Sequence, residues 1–76
     1  MATERLTIPI YGLGFGGRGA ITVERALEKE TGVTRVTVNP ATEIAYVEYD
    51  PVLTHVEQII AVVRRVGFDA GVPIRR

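Results

Sequence analysis

The chain has 76 residues, carries nine basic and nine acidic residues, and contains no cysteine. The balanced charge argues against a nucleic-acid binder that neutralises many phosphates, and the lack of thiols excludes disulfide bonds and zinc–thiolate sites. No secretory leader is visible and no stretch approaches the ~20 apolar residues of a membrane span, so we expect a cytoplasmic protein. The length predicts a single domain over residues 1–76, with its core at about residues 5–72.

Three stretches alternate apolar with other residues, which is typical of half-buried strands. They cover residues 6–11, 33–38 and 44–49, and a shorter fourth strand is predicted within residues 68–74. Pro9 has no N–H for the strand ladder, so it predicts a sheet edge or a bulge at that position. The side chains predicted to face the core are Leu6, Ile8, Ile10, Val36, Val38, Ala45, Val47 and Tyr49.

Two further stretches have the spacing of amphipathic helices. The first covers residues 20–30 and ends before Gly32, and the second extends to about residue 66 and ends before Gly67. Thr54, followed three positions later by Glu57, predicts a capping box at the start of the second helix. The predicted apolar stripes are Ala20, Val23 and Leu27 in the first helix, and Val56, Ile59, Ile60 and Val63 in the second.

The resulting order is β-α-β-β-α-β, which predicts an α+β fold of the ferredoxin-like type. In this sandwich a four-stranded antiparallel sheet carries both helices on one face. Tyr46 and Glu48 are then expected on the opposite, open face. Because these positions lack the basic and aromatic signature of ferredoxin-like RNA binders, we expect no nucleic-acid partner.

A glycine-rich loop connects the first strand to the first helix. It reads Gly-Leu-Gly-Phe-Gly-Gly-Arg-Gly over residues 12–19, so the backbone itself forms most of its surface. Free N–H groups at the start of a helix, together with the helix dipole, suit an anion. The candidate residues for interaction or anion binding are Gly12, Gly14, Phe15, Gly16, Gly17, Arg18 and Gly19.

Taken as a whole, the chain resembles the heavy-metal-associated domain family of copper chaperones, metal-pumping ATPases and mercuric-ion binding proteins. The likeness covers roughly residues 5–72 and implies the ferredoxin-like fold and a place in metal handling. It is carried by Ala20-Ile21-Thr22-Val23-Glu24-Arg25-Ala26-Leu27, Gly32-Val33-Thr34-Arg35-Val36-Thr37-Val38-Asn39, Ala45-Tyr46-Val47-Glu48-Tyr49-Asp50-Pro51 and Val66-Gly67-Phe68.

The sequence departs from the family at the metal site. Members carry Gly-Met-x-Cys-x-x-Cys between the first strand and the first helix, and the two thiolates grip a soft ion. An alignment on Gly12 and Leu13 puts Phe15 and Arg18 at the cysteine positions, whereas an alignment on the helix puts Gly16 and Gly19 there. Neither register supplies a thiolate, so no metal ligand and no cofactor are predicted.

We therefore predict a non-catalytic docking module, related to metal transport proteins, whose partner is another protein domain. Phe15, either exposed or packed on the core, and Arg18 are its candidate anchors. A second hypothesis is a small anion or nucleotide bound by the loop and Arg18, because the loop matches G-x-G-x-x-G in two registers. A third is residual metal binding through non-thiolate donors such as His55, the only histidine. With no serine and no cysteine, the chain offers no catalytic grouping and is not predicted to be an enzyme.

Overall fold

The computed structural model describes residues 2–14 and 17–75. These ranges contain two helices and five strands, all numbered here in chain order. The elements are β1 (Glu4–Tyr11), α1 (Arg18–Glu28), β2 (Val33–Asn39), β3 (Ile44–Tyr49), α2 (Val56–Arg65), β4 (Asp69–Ala70) and β5 (Ile74–Arg75). Neither helix in the described ranges is long and apolar enough to cross a bilayer.

The strands form one antiparallel sheet in the order β2-β3-β1-β4, and β5 also pairs with β1. The two strands that flank α1 in sequence are therefore separated in space by β3, which is the split βαβ arrangement. Both helices contribute their apolar stripes to the same core as the sheet. The predicted ferredoxin-like architecture is confirmed.

The core consists of one face of the sheet and one stripe of each helix. Alternation puts every second strand residue on that face, so the period-2 pattern of the sequence translates directly into burial. All eight strand residues predicted to face the core are buried, as is the predicted stripe of α1. In α2 the prediction was partly wrong: Val62 is buried, whereas Val56 and Ile60 are only half-buried.

Pro9 lies in the central strand, opposite an interruption of the last strand. Its carbonyl accepts a hydrogen bond from the N–H of Gly71 at 2.8 Å. The Pro9 nitrogen lies on the same side of the strand but has no hydrogen to donate. Two residues of β1 there face the three residues 71–73, which is a bulge. Of the two positions predicted for Pro9, the structure shows the bulge. The fourth strand predicted within residues 68–74 is present but divided into β4 and β5.

The start of α2 differs from the predicted capping box. The N-cap is His55, and no side-chain hydrogen bond caps this helix. Thr54 is buried instead, and its Oγ1 makes no hydrogen bond to any described residue. The Thr54 side chain packs against Gly32. A Cβ added at Gly32 would lie 2.9 Å from the Thr54 methyl carbon and 3.2 Å from the Thr54 Cβ. Packing against the turn after α1 therefore decides the orientation of Thr54, and the capping function is lost.

Tyr49 is a buried tyrosine at the lower end of the sheet, the end at which β3 stops. The ring is 2% exposed, and its hydroxyl donates a long hydrogen bond of 3.5 Å to the Glu4 carboxylate. Burial, and secondly the negative charge of Glu4, raise the pKa of the Tyr49 phenol above its ordinary value. The folded protein thus holds this proton more tightly than the unfolded chain does.

We expect Tyr49 to make the fold sensitive to alkali. Because the folded-state pKa is raised, the stabilisation is complete below about pH 10 and is lost as pH rises through the folded-state value. Denaturant titrations from neutral to strongly alkaline pH should show a fall in unfolding free energy that Tyr49→Phe reduces. Tyr11→Phe, which changes a ring that is 55% exposed, is the control and should keep the wild-type fall. An unchanged alkaline profile in Tyr49→Phe would contradict this assignment.

Candidate functional site

The loop between β1 and α1 leaves the sheet at its upper end, where β1 pairs with β4. Three of its described residues, Gly12, Gly14 and Gly17, have left-handed backbone with φ of 89°, 71° and 79°. This conformation strains any residue with a Cβ, so the glycines are required by the path of the chain. The loop therefore presents main chain at these positions.

Leu13 anchors the loop in the core. Its side chain is 5% exposed and belongs to the same buried cluster as the sheet and helices. Gly19, in the first turn of α1, lies directly beside it, since a Cβ on Gly19 would meet the Leu13 carbonyl oxygen at 2.7 Å. Only glycine permits this close approach, which clamps the loop against the start of the helix. In the register that aligns Gly12 and Leu13 with the family's Gly-Met, this anchor occupies the methionine position.

The start of α1 has no side-chain cap. Gly17 is the N-cap, its carbonyl accepts the N–H of Ile21 at 3.0 Å, and it has no side-chain oxygen to offer the first-turn amides. No acidic residue stands in this first turn, and Arg18 is exposed there. The Thr22 hydroxyl donates to the Arg18 carbonyl at 2.9 Å, so the hydroxyl is used within the helix. The positive end of the helix dipole is therefore not neutralised by α1 itself.

Phe15 and Gly16 lie outside the described residues. The two alternatives for Phe15, exposed or packed on the core, therefore remain predictions. The other candidate residues of the loop, Gly12, Gly14, Gly17, Arg18 and Gly19, lie within the described ranges, and their role remains a prediction. Gly12 also approaches Phe68, whose Cδ1 would lie 3.9 Å from a Cβ at Gly12.

Two exposed apolar residues border the loop. Tyr11, which ends β1, is 55% exposed, and Ile21, in the first turn of α1, is 51% exposed. Sequence reasoning did not single out Ile21 as a site residue. The sequence does indicate its exposure, because Ile21 is an apolar residue outside the buried stripe of Ala20, Val23 and Leu27. Together with Arg18, these residues form what we call the loop-end surface (Tyr11, Gly12, Arg18 and Ile21).

Metal ligands are scarce in the part of the chain that the structure describes. Within residues 2–14 and 17–75, no three His, Cys, Asp or Glu side chains are grouped so that they could hold a metal ion. His55 lies at the lower end of the sheet, away from the loop, where its Nδ1 is 3.5 Å from the Glu57 carboxylate. The loop and the only histidine are therefore not brought together.

The comparison with protein families agrees with this architecture. The profile described as "Heavy-metal-associated domain" matches residues 18–69, which is more than half of the chain. The chain belongs to the heavy-metal-associated domain family. The matched region begins at Arg18, so residues 12–17 of the glycine-rich loop lie outside it.

Curated relatives are copper-exporting P-type ATPases. One from Staphylococcus saprophyticus is 38% identical over 48 residues, covering 63% of this chain and 6% of the relative. One from Staphylococcus aureus strain Newman is 31% identical over 72 residues, covering 95% of this chain and 9% of the relative. The chain thus spans less than a tenth of the length of these proteins.

Solved structures match over nearly the whole chain. A copper binding domain from a P-type ATPase has a TM-score of 0.89 at 25% identity, covering 96% of this chain and 97% of that one. Oxidised MerP from Ralstonia metallidurans has a TM-score of 0.86 at 28% identity, with coverage of 92% and 96%. The Cu(I)-loaded N-terminal domain of a potential copper-translocating ATPase from Bacillus subtilis has a TM-score of 0.86 at 30% identity, with coverage of 93% and 88%.

The anchoring role of Leu13 can be measured directly. Leu13→Ala should lower the unfolding free energy by about 2–5 kcal/mol, because it removes a buried side chain and leaves a cavity under the loop. Leu53→Ala is the matched control: its side chain is 59% exposed, and we expect a change within about 0.5 kcal/mol. Chemical denaturation of both variants tests this difference. Equal costs for the two substitutions would show that Leu13 does not hold the loop.

Proposed function

We propose that this chain is a non-catalytic docking module of a metal-handling system, and that it binds another protein domain through its loop-end surface without carrying a thiolate-bound metal. The observation that carries the proposal is the loop itself, which is anchored by Leu13 in the family's strand–loop–helix position but supplies no thiolate at the cysteine positions in either register. The proposal includes the cytoplasmic setting and the single domain over residues 1–76 predicted from the sequence.

The metal half of the proposal rests on donor chemistry. Soft ions such as Cu(I) select thiolate, and transition metals in general need several donors held in a suitable geometry. The chain has no cysteine, and its one histidine faces Glu57 at the far end of the sheet. Loop carbonyls alone are hard oxygen donors, which suit a soft ion poorly. A tightly held soft metal therefore has no donor set of the required kind in this chain.

The docking half rests on what the loop-end surface presents. Interface centres favour aromatic and arginine side chains surrounded by contacts that exclude water. Tyr11, Arg18 and the apolar Ile21 are exposed beside a loop whose glycines let a partner approach the main chain closely. The relatives named as copper-exporting ATPases, and a solved neighbour named as the CopZ metallochaperone with a TM-score of 0.80, favour a partner from a metal transport system.

The absence of catalysis is also part of the proposal. Nucleophilic catalysis needs an activated nucleophile beside a base, with a third group to orient the base. Serine and cysteine do not occur in the chain, and His55 is an exposed helix-cap residue paired with a carboxylate. A binding role requires none of these groups.

Anion binding is the second candidate, and the uncapped start of α1 favours it. Gly17 supplies no side-chain acceptor, and Arg18 stands beside the free amides. A ligand that binds only the folded state raises the melting temperature, so a thermal-shift series with inorganic phosphate and nucleotides measures this directly. A shift that Arg18→Ala abolishes would support the anion site over protein docking as the use of this surface.

Metal uptake separates this chain from the metal-carrying members of its family. Titration with Cu(I), Zn(II) and Hg(II) against a tight competing chelator should show no stoichiometric uptake, because two adjacent thiolates are absent. Elemental analysis of protein purified without added metal should likewise find none. One equivalent of metal retained against the chelator would overturn the docking proposal in favour of metal binding through other donors.

Docking is tested by capture with matched surface variants. The wild-type chain, immobilised and exposed to an extract of its host, should retain a protein with a metal-transport or metallochaperone domain. Ile21→Glu and Tyr11→Ala should each lower that capture, since they place a charge in, or remove an aromatic ring from, the proposed interface. Val52→Glu is the control, because Val52 is 88% exposed at the opposite end of the sheet. Equal loss in all three variants, or capture that none of them affects, would contradict the assigned surface.

A further inference from the structure

The open face of the sheet, turned away from the helices, carries two rows of side chains across β1, β3 and β2, and the second row also includes Ile74 of β5. In the first row, Glu48 of β3 lies between Arg5 of β1 and Arg35 of β2. In the second row, Tyr46 lies between Thr7 and Thr37, and Ile74 extends the row beyond Thr7. We refer to the members of these two rows as the open-face rows.

The first row has an unbalanced charge. The Arg5 Nε lies 3.4 Å from Glu48 Oε2, and the Thr3 hydroxyl donates to the same oxygen at 3.3 Å. Arg35, exposed on the edge strand, makes no ion pair and no side-chain hydrogen bond within residues 2–14 and 17–75. The Arg5 side chain is 71% exposed, so its remaining nitrogens also face solvent. The row therefore carries one net positive charge, and both of its guanidinium groups have nitrogens that a partner can reach.

The two rows border a depression of about 270 Å³, lined by Arg5, Arg35, Thr37, Tyr46 and Glu48 among others. Small-molecule sites are concave and mostly apolar, and they enclose most of the ligand. This depression is shallow and predominantly polar, so its shape suits the side chains of a larger partner better than an enclosed small molecule.

Each edge of the sheet has a feature that hinders strand addition. On the β2 edge, the outward N–H of Val38 donates to the Glu24 carboxylate at 3.1 Å, which uses a donor that an added strand would need. On the other edge, the ladder is interrupted between β4 and β5 by residues 71–73, which include Pro73. Bulges and side chains that cover edge donors prevent edge pairing. A partner that binds the sheet is therefore expected to contact its open face rather than one of its edges.

We propose that the open-face rows dock an acidic, extended segment of a partner protein, with one carboxylate on Arg35, a second on the outer nitrogens of Arg5, and an aromatic side chain over Tyr46. Arg35 and Arg5 are two strand spacings apart, about 10 Å. In the polyproline II form of an extended chain, which has three residues per turn and a rise of about 3.1 Å, side chains three positions apart lie on the same face about 9 Å apart, so the two acidic residues should be three positions apart in the partner.

Charge decides between a protein and a nucleic acid as the occupant. Nucleic-acid affinity comes from several cations that neutralise neighbouring phosphates. Here Glu48 stands between the only two arginines of the row, and a continuous phosphate backbone would pass over its carboxylate. Two separate carboxylates avoid this repulsion, because each lies on a guanidinium on either side of Glu48.

The test uses the ¹⁵N-labelled chain and a blocked peptide with two glutamates three positions apart and a tyrosine between them. We expect saturable amide shifts at Arg35, Thr37 and Tyr46. Arg35→Gln should weaken binding roughly two- to fivefold, as expected for an exposed ion pair. Arg64→Gln on α2 is the matched control and should leave the affinity unchanged, and the peptide with glutamines in place of glutamates should bind more weakly.

Three results would overturn the proposal: no saturable shift at millimolar peptide, equal binding of the glutamine peptide, or stronger binding of a single-stranded RNA oligonucleotide to the same face. The inference is independent of the loop-end surface. Ile21→Glu, which tests the loop-end docking, should leave the peptide affinity unchanged, so each proposal can fail without the other.

Discussion

The central position of β1 determines most of this structure. Its three core residues, Leu6, Ile8 and Ile10, are each no more than 1% exposed, and the strand pairs with β3 on one side and with β4 and β5 on the other. These side chains belong to the same buried cluster as the apolar stripes of both helices, which stabilises a fold that has no disulfide to support it. The same strand runs directly into the glycine loop, so the position of the loop follows from the burial of the strand.

This chain keeps the fold of the heavy-metal-associated domain family but lacks the two cysteines of the family's metal site. Burial of Leu13 under the loop and the close contact of Gly19 with the Leu13 carbonyl oxygen fix the strand–loop–helix path through packing. The chain has no cysteine, so this packing involves no thiolate. Membership of the family therefore describes how this chain folds, whereas its function has to be argued from the surfaces it presents.

The two proposed surfaces lie on different layers of the sandwich. The loop-end surface combines exposed apolar residues with main chain at the upper end of the sheet, whereas the open-face rows are polar and cross the middle of the sheet's free side. The two surfaces thus differ in chemistry. The loop-end surface presents apolar side chains and one arginine, whereas the open-face rows present two arginines and a half-buried tyrosine. The two proposed surfaces share no residue, so the two proposals do not compete for the same side chains.

The sequence by itself determined the order of the elements, because periods of 2 and 3.6 residues mark which side chains must be buried and are read without knowledge of any distant contact. It also determined the glycines that end both helices and the absence of thiolate chemistry. Tertiary structure alone decided the features that depend on residues far apart in the chain. Packing of Thr54 on Gly32 removed a capping box that local spacing favoured, and Pro9 in the central strand interrupted the pairing of a segment about 60 residues away. The capture of the Val38 N–H by Glu24, and the placement of Glu48 between two arginines, likewise exist only because the sheet and α1 bring separate segments together.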